Sequence, residues 1–128
     1  MRYILFLLIL FLTPFDGFAQ EERHRHKRHG HPGHAKIKNP VAKTEKSVAE
    51  GKKLYEKHCT ACHGEAGKGA SGPALSAPEL IHGSTDGEIF HVITDGVAGT
   101  AMKGFKKELS DELRWHIVNY IAGLRKTR

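Results

Sequence analysis

The chain has 128 residues, a formal net charge of +6 and 39% hydrophobic residues, which indicates one small domain with appendages. The charge is uneven: residues 20–44 carry seven Lys or Arg against two Glu, whereas residues 45–128 carry twelve against eleven Asp or Glu. Because the basic excess lies near the N-terminus, composition argues against a nucleic-acid-binding surface on the rest of the chain.

The N-terminus has the pattern of a secretory signal. Arg2 precedes an apolar run at residues 3–12, and Pro14, Gly17 and Ala19 follow. A membrane anchor is the alternative, but a spanning helix needs about 20 apolar residues. We therefore predict that residues 1–19 form a signal peptide cleaved after Ala19, and that the mature protein is exported to the periplasm.

Residues 20–46, called here the His-rich segment, show no hydrophobic period and contain five closely spaced histidines: His24, His26, His29, His31 and His34. With few apolar side chains, this segment is predicted to be a disordered basic tail. Two roles stay open. Neutral imidazoles bind divalent transition metals, and a solvated basic tether can touch a membrane surface or cell wall.

The globular domain is predicted at residues 47–128. Ser47 and Glu50 have the spacing of a capping box, and Leu54 and Tyr55 continue an apolar face at helical spacing. The pattern predicts a helix that runs to about Lys57.

A Cys-x-x-Cys-His sequence follows that helix, at Cys59, Cys62 and His63. The two thiols lie one helical turn apart, so both can form thioethers to one haem while the adjacent imidazole reaches the iron. A structural zinc site needs four ligands, and a thioredoxin-like redox pair follows a strand. The chain has only these two cysteines, which disfavours the zinc site. A helical pattern rather than a strand precedes them, which disfavours the redox pair.

With these residues the chain resembles the class I c-type cytochromes from about residue 47 to the C-terminus. The resemblance implies an all-α domain of three main helices around one covalently bound haem c. In that family a glycine and an aromatic residue on the first helix pack against the last helix, and Gly51 and Tyr55 match them. A haem would also add buried apolar surface to a domain of marginal size.

Residues 64–83 are rich in Gly, Ser, Ala and Pro, which predicts a long loop. Its Gly72-Pro73-Ala74-Leu75 sequence matches a family segment in which the proline carbonyl accepts a hydrogen bond from the proximal histidine. The resemblance therefore implies that Pro73 orients His63 and that Leu75 packs on the haem.

A second helix is predicted after Thr85, with Glu88 at the capping-box position and Gly96 as its end. His82 precedes this helix and His91 lies within it. Either could in principle bind iron, but we interpret both as surface or partly buried histidines.

Met102 is the only methionine outside the signal segment, and a single methionine on a loop can simply fill space in the core. Its position about 40 residues after the Cys-x-x-Cys-His sequence, with Phe105 three residues later, resembles the distal ligand loop of the family. The resemblance therefore implies that Met102 is the second iron ligand. Many family members have proline directly after this methionine, whereas this chain has Lys103, which makes Lys103 and Lys106 conceivable replacement ligands at high pH.

The last helix is predicted to begin after Ser110, with Asp111 and Glu112 in its first turn and basic residues at its end. An apolar stripe runs along it, and Ile117 and Tyr120 match the family positions that contact the first helix. His116 is expected at the surface.

The sequence thus predicts a monomeric, non-enzymatic carrier that passes one electron at a time between redox protein partners, with His63 and Met102 as axial ligands. Two alternatives remain open. One is a haem sensor or enzyme with an open iron position, and the other is a metal-binding protein that acts through the His-rich segment.

Overall fold

The computed structural model describes residues 29–125, and this part of the chain is helical apart from loops and turns. It contains α1 (Glu45–His58), α2 (Thr60–His63), a 3-10 turn at Glu65–Gly67, α3 (Asp86–Asp95) and α4 (Asp111–Leu124). The three long helices confirm the predicted all-α fold. The signal-peptide prediction for residues 1–19 lies outside the described residues.

Helix α1 begins three residues before its predicted start. Thr44 is the N-cap and its hydroxyl accepts a hydrogen bond from the Ser47 amide at 3.1 Å. Ser47 is buried instead, and its hydroxyl bonds to His116 Nδ1 and Asn119 Nδ2, each at 2.8 Å. The Ser47 cap prediction is therefore wrong, because that hydroxyl serves the interface with α4 and leaves His116 half-buried rather than at the surface.

Helices α1 and α4 cross in close contact at Gly51. A Cβ atom at this position would lie only 1.9 Å from the carbonyl oxygen of His116. Around the crossing, Tyr55 and Ile117 are fully buried, and the rings of Tyr55 and Tyr120 lie 5.1 Å apart. The packing expected from Gly51 and Tyr55 is confirmed, and close backbone approach explains a glycine in mid-helix.

Helix α3 has the predicted boundaries. The Thr85 hydroxyl and the Glu88 carboxylate form a reciprocal capping box, and Gly96 ends the helix with a φ of 75°. Against α4, the ring of Phe90 stacks on Trp115 with centroids 3.8 Å apart. These contacts join the three long helices around one core.

The His-rich segment differs from its prediction where the structure describes it. The His29 amide donates to the Ile81 carbonyl at 2.9 Å, and Asn39 Nδ2 donates to Asn119 Oδ1, also at 2.9 Å. Asn119 in turn donates to the Val41 carbonyl at 3.1 Å. The prediction of disorder through residue 46 is thus corrected for residues 29–46. Hydrogen bonds from backbone and side-chain amides hold residues 29–41 against the helices, and a hydropathy pattern does not reveal such bonds. Helix α1 then begins at Glu45.

Among the described residues, no helix combines the length and the apolar character needed to cross a membrane.

Candidate haem-binding site

Cys59, Cys62 and His63 are placed by the junction of two helices. Cys59 is both the last cap of α1 and the first cap of α2, and its carbonyl accepts from the amides of Cys62 at 3.2 Å and His63 at 2.9 Å. These bonds form one helical turn and put the two cysteines on successive turns, as the sequence spacing predicted. Neither thiol is in a disulfide; Cys59 is buried and Cys62 is exposed.

Burial raises the pKa of the Cys59 thiol to about 11, and the nearby Cys62 adds to the rise. Before any thioether forms, this sulfur is therefore a protonated thiol at neutral pH and does not act as a free thiolate. Burial likewise raises the pKa of Tyr55 to about 12, and its hydroxyl donates to the Gly64 carbonyl at 2.9 Å. The tyrosine thereby joins α1 to the loop that follows His63.

His63 is held in one orientation by its loop. The ring is 8% exposed, and Nδ1 lies 2.9 Å from the carbonyl oxygen of Pro73. Since a carbonyl only accepts, Nδ1 carries the proton, and Nε2 keeps the lone pair that a metal needs. The contact implied by the resemblance is present.

Glycine makes this arrangement possible. The Gly72 amide donates to the Cys62 carbonyl at 2.7 Å, and a Cβ at Gly72 would lie 3.3 Å from His63 Nδ1. Farther back in the loop, Gly64 has a φ of 75°, and the Leu75 amide donates to the Gly67 carbonyl at 2.8 Å. The predicted loop over residues 64–83 therefore wraps back onto the Cys-x-x-Cys-His turn.

Met102 lies in a compact loop between α3 and α4. Its carbonyl accepts from the Val97 amide at 2.9 Å and its own amide donates to Thr100 Oγ1 at 3.1 Å. The side chain is half-buried and packs against the core, and the buried Phe105 ties the loop back to α3. Although proline is absent after Met102, these bonds restrain the loop.

Lys103 forms an ion pair with Glu108 at 2.9 Å. Lys103 was named from the sequence as an alternative iron ligand, and its ammonium group is engaged in this exposed contact. The hydrogen bond and the positive charge of Lys103 lower the pKa of Glu108.

His91 in α3 and His82 just before that helix contact residues other than the Cys-x-x-Cys-His turn. His91 Nδ1 lies 3.0 Å from Asp95 Oδ2, and the His91 ring stacks on His34 with centroids 3.9 Å apart. Burial lowers the pKa of both His82 and His91, and neighbouring imidazoles lower each further. Sequence reasoning missed this association, because no local pattern relates the His-rich segment to a helix some 60 residues later.

The donor set at the Cys-x-x-Cys-His turn fits haem c. Two unpaired thiols stand one turn apart, and the adjacent imidazole has Nδ1 engaged and Nε2 available. When bound, haem supplies reversible one-electron chemistry between Fe(II) and Fe(III). Cys59 and Cys62 would attach the haem, and the Pro73 carbonyl orients the His63 imidazole.

Comparison with known proteins agrees with this assignment. Residues 46–121 match the family described as cytochrome C oxidase, cbb3-type, subunit III. The dihydro-heme d1 dehydrogenase of Pseudomonas aeruginosa is 38% identical over 73 residues, which cover 57% of this chain and 15% of that protein. The cbb3-type cytochrome c oxidase subunit CcoP of Azospirillum brasilense is 34% identical over 89 residues, covering 63% of this chain and 30% of that protein.

Among solved structures, cytochrome cL from Hyphomicrobium denitrificans is similar with a TM-score of 0.60 and 25% identity. The similarity covers 66% of this chain and 52% of that structure. This chain spans less than a third of the length of the two curated relatives. The match of residues 46–121, the fold and the Cys-x-x-Cys-His turn together show that the chain is a class I c-type cytochrome of the family described as cytochrome C oxidase, cbb3-type, subunit III. The chain therefore binds haem c covalently.

Proposed function

We propose that this protein is an exported monohaem electron carrier in which His63 and Met102 are the two axial ligands. It accepts one electron from a redox protein and passes it to another, with no bond made or broken in either partner. The observation that carries this proposal is the hydrogen bond from His63 Nδ1 to the Pro73 carbonyl, which leaves Nε2 of the same ring available to bind a metal.

Met102 is supported as the second ligand by its position, because its side chain is half-buried against the core on a loop between α3 and α4. Among the alternatives named from the sequence, Lys103 forms an ion pair with Glu108, and His82 and His91 lie beside His31 and His34. The backbone of Met102 is hydrogen-bonded to Val97 and Thr100, and among the described residues no hydrogen bond to its sulfur is found. A thioether ligand favours the ferrous state and raises the potential relative to two imidazoles.

Export to the periplasm with cleavage after Ala19 is proposed from the N-terminal sequence pattern. The partners proposed are an electron donor and an electron acceptor. Relatives named as an oxidase subunit and a dehydrogenase contain a similar domain, which is consistent with docking beside larger redox enzymes. Their substrates do not transfer to this chain, because it matches only a small part of each.

A spectroelectrochemical titration of the haem-loaded protein tests the proposal. We expect a reversible one-electron transition, and a Met102→Ala variant with a potential lower by several tens of millivolts or more. For one electron ~60 mV corresponds to ~1.4 kcal/mol. His82→Asn and Lys103→Ala variants are controls and should keep the parent potential. If a control lowers the potential and Met102→Ala does not, the ligand assignment is wrong.

A further inference from the structure

Four imidazoles from two distant parts of the chain gather beside α3, and we call them the histidine cluster: His31, His34, His82 and His91. The ring centroid of His31 lies 4.6 Å from that of His91, 6.2 Å from that of His82 and 6.4 Å from that of His34. His34 and His91 are stacked at 3.9 Å. None of these residues belongs to the Cys-x-x-Cys-His turn or to the Met102 loop.

The backbone holds the cluster together. The His31 amide donates to Glu88 Oε1 at 3.1 Å, and the same buried carboxylate caps α3. The His34 amide closes a turn onto the His31 carbonyl at 2.8 Å. A Cβ at Gly87 would lie 2.2 Å from the His34 carbonyl oxygen, so this glycine permits the turn to rest against the helix. The two halves of the cluster are therefore positioned by main-chain contacts.

His91 also has the polar environment of a metal ligand. Its Nδ1 contacts Asp95 Oδ2 at 3.0 Å, one helical turn away. A carboxylate bound to one ring nitrogen fixes the tautomer and leaves the other nitrogen as a donor, which is the usual arrangement around metal-bound histidine.

We propose that His31, His34 and His91 bind one divalent transition-metal ion, with His82 as a fourth donor. With a nitrogen–metal distance of about 2.0 Å, two imidazoles on one tetrahedral ion have ring centres about 5 Å apart. The observed separations of 4.6 and 6.4 Å lie on either side of that value.

In the described residues as they stand, no three or more His, Cys, Asp or Glu side chains are arranged to hold a metal ion, so binding requires the rings to move. The stacked His34 and His91 rings must separate by about 1 Å or more, from 3.9 Å toward the tetrahedral spacing. Metal binding therefore requires a change of rotamer at the half-buried His34 or His91. Zn(II), Ni(II) and Cu(II) all suit imidazole donors.

The experiment is isothermal titration calorimetry, in which ZnCl₂ is added to the full haem-loaded protein at pH 7.5 and the heat of binding is measured. We expect one saturable site, and we expect His91→Asn to weaken binding by at least tenfold. Asp95→Asn should weaken it roughly 10- to 100-fold, the usual effect of losing a carboxylate behind a ligand. A matched control is the double variant His24→Asn/His26→Asn, which removes two histidines of the same segment and should leave the affinity unchanged.

His91 is the decisive position because it lies outside the His-rich segment. If His91→Asn binds Zn(II) like the parent while His24→Asn/His26→Asn loses binding, the segment chelates alone and the proposed site is wrong. Absence of saturable binding to the parent also overturns it. Should His91→Asn fold poorly by circular dichroism, His82→Asn replaces it, because His82 also lies outside the His-rich segment and its loss should weaken binding as well.

Discussion

Replacing Gly51 by alanine places a methyl group against the backbone of the last helix. The new Cβ would lie 1.9 Å from the His116 carbonyl oxygen, 2.6 Å from its carbonyl carbon and 3.0 Å from Tyr120 Cβ. A helical carbonyl cannot rotate away without breaking its own hydrogen bond. Helices α1 and α4 would therefore have to move apart by about 1.5 Å to restore an ordinary contact of 3.4 Å or more.

Two terms of opposite sign set the magnitude. Alanine stabilises a helix interior by about 1 kcal/mol relative to glycine. Overpacking a well-filled interface costs about 1–3 kcal/mol, occasionally more. The cost here falls at the upper end, since the separation loosens the fully buried Tyr55 and Ile117. We expect Gly51→Ala to destabilise the protein by about 2 kcal/mol net.

Gly123 provides a matched control in α4. It is exposed, and a Cβ there meets nothing within 4 Å. Gly123→Ala should show only the propensity term and stabilise the protein by about 0.5–1 kcal/mol. Urea unfolding of both haem-loaded variants, followed by far-UV circular dichroism, measures the difference. If Gly51→Ala is as stable as the parent, the close helix approach does not explain this glycine.

Three further outcomes follow from the site and the histidine cluster. Haem should remain with the denatured protein through acidic acetone extraction, and extractable haem would contradict thioether attachment; a Cys59→Ala/Cys62→Ala variant should be largely unfolded by circular dichroism, because the remaining core is small. The pKa values of His82 and His91 are lowered in the folded protein, so the unfolded chain binds protons more readily than the folded one. The stability that the two neutral histidines contribute is therefore complete above about pH 6.5, and it is lost as the pH falls through their folded pKa values. Without added metal, amide exchange of residues 29–43 should therefore speed up relative to α4 between pH 7 and pH 5, and an unchanged ratio would show that these histidines do not hold the segment.

Much of the fold was predictable because its signals are local. Thr85 with Glu88, and Ser110 with the acidic pair that follows it, mark helix starts by side-chain chemistry alone. The Cys-x-x-Cys-His turn is equally local, and the resemblance to a known family added the contact between His63 and Pro73.

The errors arose where a residue's role depends on a distant partner. Ser47 has the spacing of a cap, but its hydroxyl bonds across the interface to α4, and Thr44 caps instead. The His-rich segment has the composition of a disordered tail. Hydrogen bonds through Asn39 and His31 to α4 and Glu88 hold its described part, and composition cannot reveal bonds between positions about 60–80 residues apart.

Carbon monoxide binding to the unmodified ferrous protein at neutral pH tests the central claim most directly. If the Met102 thioether occupies the sixth position, uptake should be poor, and Met102→Ala should bind carbon monoxide readily. Visible spectroscopy during the titration follows both proteins. Fast, stoichiometric uptake by the unmodified protein would contradict the closed carrier and favour a sensor or enzyme with an open iron position.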